Sequence, residues 1–74
     1  MYIYFDNKIV GYINDYPNEK IGHTDYPEFC QQDPVYDKTD NKTFLADGSV
    51  EYGRDCVESE LIRIAMKAKE AGRL

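Results

Sequence analysis

Thr43-Phe44-Leu45-Ala46-Asp47-Gly48-Ser49-Val50-Glu51-Tyr52 is followed, four residues on, by Val57-Glu58-Ser59-Glu60-Leu61-Ile62-Arg63-Ile64-Ala65-Met66-Lys67-Ala68-Lys69-Glu70-Ala71. These two runs decide the fold class. The first reads as a β-hairpin, because Asp47-Gly48 between two β-rich segments supplies the positive φ angles that a two-residue turn demands. In that register Leu45 opposes Val50 and Thr43 opposes Tyr52 on one face, and Phe44 lands on the other with Glu51. The second run reads as a helix over 57–71. Val57, Leu61, Ile64, Ala65, Ala68 and Ala71 recur at 3.6-residue spacing, Asp55 and Glu58 stand as a capping pair at the entry, and Gly72 ends it. Ile62 and Met66, one turn apart, are predicted to point away from that face, which marks a spot for an intermolecular contact.

Working outward, Tyr2-Ile3-Tyr4-Phe5 and Ile9-Val10-Gly11-Tyr12-Ile13 flank a polar tripeptide and predict a second hairpin over 2–13. Loop length sets which residues share a face. A three-residue loop puts Ile3, Phe5, Ile9 and Ile13 together and leaves Tyr2, Tyr4, Val10 and Tyr12 opposite. A two-residue turn instead joins Ile3 and Phe5 to Val10 and Tyr12. The first separates aliphatic from tyrosine more cleanly and is preferred here. In both, Tyr2 and Tyr4 point together.

The segment 14–41 reads as a long acidic loop. It carries all three prolines (Pro17, Pro27, Pro34), and each Tyr-Pro step biases its Tyr away from helix. Pro27 to Gln32 allows one helical turn, and Val35-Tyr36 a short strand. The whole predicts a single α+β domain: a small antiparallel sheet of two hairpins, three to five strands in all, with one C-terminal helix packed on it.

The 74 residues carry nine Lys and Arg against fourteen Asp and Glu, a formal charge of −5. Sixteen of them are Leu, Ile, Val or Phe, so the core is thin and a partner or second copy would help to bury surface. No apolar run approaches the roughly 18 residues of a membrane span, and no signal-peptide pattern opens the chain, so a cytoplasmic location is expected. In that reducing setting Cys30 and Cys56 are expected to be free thiols.

Catalysis has little support. His23 is the single imidazole, it reads as a solvated loop residue, and no glycine spacing suits a phosphate loop. Structural zinc wants four Cys or His ligands and only three exist. Asp37, Asp40 and Asn41 lack the rest of a calcium loop, with Lys42 where its glycine belongs. The expectation is a non-catalytic chain with no metal and no cofactor. Direct nucleic-acid binding is not expected either, because Arg63, Lys67, Lys69 and Arg73 sit in the last turns of the helix, where they complement its dipole.

The acidic side is more informative. Asp15, Glu19, Asp25, Glu28, Asp33 and Asp37 are strung along one segment with only Lys20 as counter-charge, interleaved with Tyr16, Tyr26, Phe29 and Tyr36. Carboxylates presented this way suit a basic groove, and tyrosine brings rigid contact area. Asp15, Tyr16, Asp25, Tyr26, Glu28, Tyr36 and Asp37 are therefore the expected contacts for a basic, nucleic-acid-handling protein partner. The alternative is a self-associating assembly protein or homodimer using Tyr2, Tyr4, Ile62 and Met66.

The short chain opening in a strand (Met1-Tyr2-Ile3-Tyr4-Phe5-Asp6), its acidic Tyr-rich middle and its closing helix are similar in style to small phage- or prophage-encoded accessory proteins. That group includes anti-defence inhibitors, such as anti-CRISPR proteins, and tail or virion assembly helpers. The resemblance lies in general character rather than in a motif. It implies inhibition of a host protein by occlusion, or an assembly role, and carries over no functional residue.

Overall fold

A computed structural model describes all 74 residues. Six strands form one antiparallel meander in chain order: β1 (Tyr2–Phe5), β2 (Lys8–Asp15), β3 (Glu19–Thr24), β4 (Val35–Asp37), β5 (Lys42–Phe44) and β6 (Val50–Tyr52). A 3-10 turn (Pro27–Phe29) joins β3 to β4, and α1 (Cys56–Glu70) follows β6 and lies across one face of the sheet. The fold is α+β as expected, with six strands in place of three to five.

The first hairpin turns on two residues, not three. Asp6 and Asn7 both have positive φ (51° and 61°), the conformation a tight hairpin turn requires. Tyr4 then opposes Ile9, but a β-bulge makes Ile3 oppose Gly11 and Tyr2 oppose Tyr12. The extra residue, Val10, changes the face parity once along β2. Ile3, Val10 and Ile13 are consequently buried together, and Ile9 is thrown to the outer face beside Tyr2, Tyr4 and Tyr12. Each of the two registers read from sequence holds on one side of the bulge.

The stretch read as a loop over 14–41 contains the end of β2, all of β3, the 3-10 turn and β4. Pro17 lies in the β2–β3 turn, Pro27 opens the 3-10 turn, and Pro34 immediately precedes β4. The prolines mark junctions, and the strands between them are short. β3 escaped notice because its inward residue facing the helix is Gly22, not an apolar side chain. A Cβ there would stand 2.9 Å from both Pro34 Cγ and Val57 Cγ1, so the missing side chain is what lets α1 settle onto the sheet.

The second hairpin forms with a longer turn than expected. Phe44 opposes Val50 and Thr43 opposes Glu51. The Gly48 N–H donates to the Leu45 carbonyl and the Leu45 N–H to that of Ser49 (3.0 and 2.8 Å), with Gly48 at φ 87°. This is a three-residue loop in which glycine takes the left-handed position. Thr43 and Leu45 do face the core and Phe44 does not, whereas Val50 and Tyr52 join Phe44 outside.

α1 buries Val57, Leu61, Ile64, Ala65 and Ala68 as expected, but Ala71 is exposed and Glu60 is buried. Asp55 makes no side-chain cap, so the expected capping pair does not form. The Ser59 hydroxyl instead donates to the Asp55 carbonyl (2.8 Å). At the other end the Arg73 N–H reaches the Ala68 carbonyl and the Gly72 N–H that of Lys69, a Schellman closure with Gly72 at φ 77°. Ile62 is half-buried against the core and does not form a free rear spot. Met66 is exposed.

Candidate functional site

The meander places its two sets of turns at opposite ends of the sheet, and this divides the acidic segment. Asp15, Tyr16, Tyr36 and Asp37 lie at the end holding the β2–β3 turn and the helix start. Asp25, Tyr26 and Glu28 lie at the other end, beside the helix C-terminus. The seven residues do not form one surface.

Most of them are also engaged within the chain. Asp15 pairs with Lys20 at 3.6 Å. The Asp37 carboxylate accepts the Thr39 N–H at 2.9 Å, a local turn bond. Tyr36 is buried on the helix side and donates its hydroxyl to Asn41 Oδ1 (2.9 Å), so it belongs to the core and not to a contact surface. Glu28 is ion-paired with Arg73, whose guanidinium lies over the Tyr26 ring at 6.0 Å. Only Tyr16 and Asp25 are exposed without such a partner.

Arg63 and Lys69 of the helix are likewise engaged within the chain, whereas Lys67 makes no ion pair. Arg63 pairs with Glu60 at 2.8 Å and with Glu51 at 3.8 Å, and Lys69 pairs with Asp6 and sits over the Phe5 ring. Glu60 itself is buried and accepts the Ala46 N–H (2.8 Å), tying α1 to the second hairpin loop. Its spacing, three after Val57 and four before Ile64, puts it at the edge of the buried stripe, but Glu58, three before Leu61, sits at the other edge and is exposed.

What the sequence reading missed is the uncovered face of the sheet. Residues directly opposed across a ladder share a face. Tyr2, Tyr12 and His23 form one row, Tyr4 and Ile9 a second, and Ile21, Val35, Phe44 and Val50 a third that crosses four strands. Since α1 covers the alternate residues, this face is open: Tyr2 and Tyr4 are more than 60% exposed, Ile9 46% and Val50 42%. A last row, Glu19, Asp37, Lys42 and Tyr52, brings two carboxylates and one ammonium to its margin. No family model, no curated protein and no solved structure matches this chain. Its function has to be read from these surfaces.

His23 belongs to the open face and is strand, not loop. Its ring stacks on Tyr12 (centroids 4.5 Å apart, 21° between planes), meets the Asn14 amide at 3.0 Å and lies 3.7 Å from Asp33. No hydroxyl or thiol is hydrogen-bonded to it, so the arrangement holds an orienting carboxylate and an imidazole with no nucleophile. Cys30 and Cys56 are free thiols. Burial, reinforced by Glu60 and Asp33, pushes the Cys30 thiol up from its usual range, and burial and Glu51 do the same for Cys56. Both shifts favour the unreactive protonated form. No three His, Cys, Asp or Glu residues converge as metal ligands, and no helix is long and apolar enough to cross a membrane.

The expected self-association set is divided too. Tyr2 and Tyr4 lie on the open sheet face, and Ile62 and Met66 are on the helix at the opposite side of the molecule. Only a head-to-tail contact, the sheet face of one copy on the helix of the next, would bring the two pairs into one interface.

Proposed function

We propose that the chain is a non-catalytic protein-binding module that docks a basic partner on the open face of its sheet. The observation that carries this is the aromatic and aliphatic surface of Tyr2, Tyr4, Ile9, Tyr12, Phe44 and Val50, left uncovered while α1 packs on the opposite face of β1 to β4. Rigid tyrosines projecting from a paired sheet bring contact area at small entropy cost.

Charge selects the occupant. Glu19, Asp33 and Asp37 surround the face against Lys42 alone, and the whole chain carries −5. A second copy would bring like charge against like. A partner with an apolar centre and a Lys- or Arg-rich rim is complementary, and the field speeds its approach. A nucleic-acid-binding groove has that chemistry, so covering one would make the chain an inhibitor by occlusion. The acidic contacts thus move from the 14–41 segment as a whole to the margin of the sheet.

The test pairs sedimentation of the purified chain with crosslinked capture from its native host cell, using the wild type and a Tyr4→Ser/Phe44→Ser double variant. The reading expects a monomer. It also expects a basic partner that is retained at low salt, released at high salt, lost in the double variant, and unable to hold nucleic acid once captured. A salt-stable dimer abolished by the double variant would overturn it in favour of self-assembly, and a partner held equally by both chains would show that the open face is not the site.

A further inference from the structure

At the end of the sheet where the β2–β3 turn, the β4–β5 turn and the chain after β6 meet, a cleft of about 200 Å³ is walled by Tyr16, Glu19, Lys20, Tyr36, Lys38 and Arg54. The turns that build it are tied together: the Lys38 N–H donates to the Asn18 carbonyl (2.8 Å) and the Gly53 N–H to that of Asn41 (3.1 Å). Residues 1–60 hold thirteen acidic side chains and only five basic ones, yet three of those five converge on this cleft. Lys20 is balanced by Asp15. Lys38 and Arg54 make no ion pair, and Glu19 is the one carboxylate in the wall. Three cations against Asp15 and Glu19 leave a local excess of positive charge in an otherwise acidic stretch, and a further anion would be attracted to it.

We infer that this cleft binds a phosphate monoester. The guanidinium of Arg54 offers a planar fork that matches phosphate oxygens, and Lys38 and Lys20 add point charges. The volume falls below the roughly 300–1,000 Å³ of sites for drug-sized ligands, so it takes the phosphoryl group and leaves the carrier outside. The exposed Tyr16 ring at the cleft offers that carrier a flat surface, which suits an aryl or nucleoside group. The site shares Glu19 with the margin of the open face, but direct titration with a small ligand tests it without the protein partner.

The experiment is an amide chemical-shift titration of the full chain with phenyl phosphate, with AMP and with benzoate as a carboxylate control. Saturable shifts are expected at residues 16, 18–20, 38 and 54. Affinity should rise several-fold as pH passes the second phosphate ionisation near about pH 6. Lys38→Ser with Arg54→Ser should weaken binding by about tenfold or more, whereas Lys42→Ser, on the open face, should change it less than about twofold. All three lysine and arginine side chains project from turns or the sheet surface, and unchanged circular dichroism would show the variants folded. Binding of phenyl phosphate alone identifies an aryl phosphate, of AMP alone a nucleotide, and of both the phosphoryl group itself. Absence of saturation, equal affinity for benzoate, or binding indifferent to the double variant would overturn the assignment.

Discussion

Adding one methyl group at Gly22 or at Gly11 should have very different consequences. At Gly22 the new Cβ would meet three side-chain carbons: Pro34 Cγ and Val57 Cγ1 at 2.9 Å and Leu61 Cδ1 at 3.3 Å. Ordinary carbon contacts lie near 3.5–4.0 Å, so α1 must lift or Val57 and Leu61 must change rotamer. Overpacking of this kind costs about 1–3 kcal/mol, offset by about 0.4–1 kcal/mol because alanine restricts the unfolded chain. At Gly11 the Cβ would sit 2.4 Å from the His23 carbonyl oxygen, a backbone atom. That atom cannot yield without opening the β2–β3 ladder where Gly11 opposes Thr24. Gly11→Ala should therefore cost more than about 3 kcal/mol, against the roughly 4–11 kcal/mol that a domain of this size has in total. Urea unfolding followed by circular dichroism reads both. With a slope of about 1 kcal/mol/M, Gly22→Ala should lower the midpoint by about 1–2 M, and Gly11→Ala should leave little folded protein. An unchanged midpoint for Gly22→Ala would refute the close approach of helix to sheet, and a Gly11→Ala protein as stable as Gly22→Ala would refute the tight β2–β3 approach at Gly11.

Glu60→Ala strands the buried Ala46 N–H and frees Arg63, and should lower stability by about 1–3 kcal/mol in the same assay. Glu60→Gln, which keeps an acceptor oxygen, should cost less. Asp47 is held below the ordinary aspartate range by the Ser49 hydroxyl and then by its N–H. A depressed carboxyl contributes stability above its unfolded pKa and loses it as pH falls through the folded value, so the turn should weaken only below about pH 4. A carbon-detected titration of Ser49→Ala should show the Asp47 value moving upward. The raised Cys30 thiol should be alkylated more slowly in the native chain at about pH 8 than after unfolding, when the unburied thiol is more ionised. Its contribution to stability is present at neutral pH and is lost as alkaline pH passes the folded value.

The helix and the existence of two hairpins were legible because their signals are local: a 3.6-residue apolar period, Asp-Gly between β-rich runs, and a glycine stop. What was not legible depended on neighbours. The bulge at Val10 has no local signature, since either hairpin register satisfies β propensity, and only the packing of α1 on Ile3 and Ile13 selects a mixture of the two. β3 reads as Glu-Lys-Ile-Gly-His-Thr, with no alternation of apolar side chains, because its central inward position is filled by a neighbour reaching over Gly22. The acidic segment misled for a related reason. Its carboxylates are regularly spaced in sequence, but a meander sends successive turns to opposite ends, so regular spacing along the chain became separation in space.

The open face and the thin core are two sides of one constraint. A fifteen-residue helix packs on one face of the six-stranded sheet, and most of the Leu, Ile and Val side chains go into that contact, with Leu61, Ile64, Val10 and Val57 fully buried. No second helix exists to cover the other face, which in an antiparallel sheet left to solvent alone would be polar. Here it carries Tyr2, Tyr4, Ile9, Tyr12, Ile21, Val35, Phe44 and Val50 instead. Such side chains add nothing to the core of the isolated chain, and their exposure invites edge and face association. Tyrosine rather than leucine at three of the six exposed positions limits that hazard, because its hydroxyl can stay hydrated at the surface. No requirement of the fold itself calls for an apolar surface with carboxylates at its margin, and this is why we place the docking partner there.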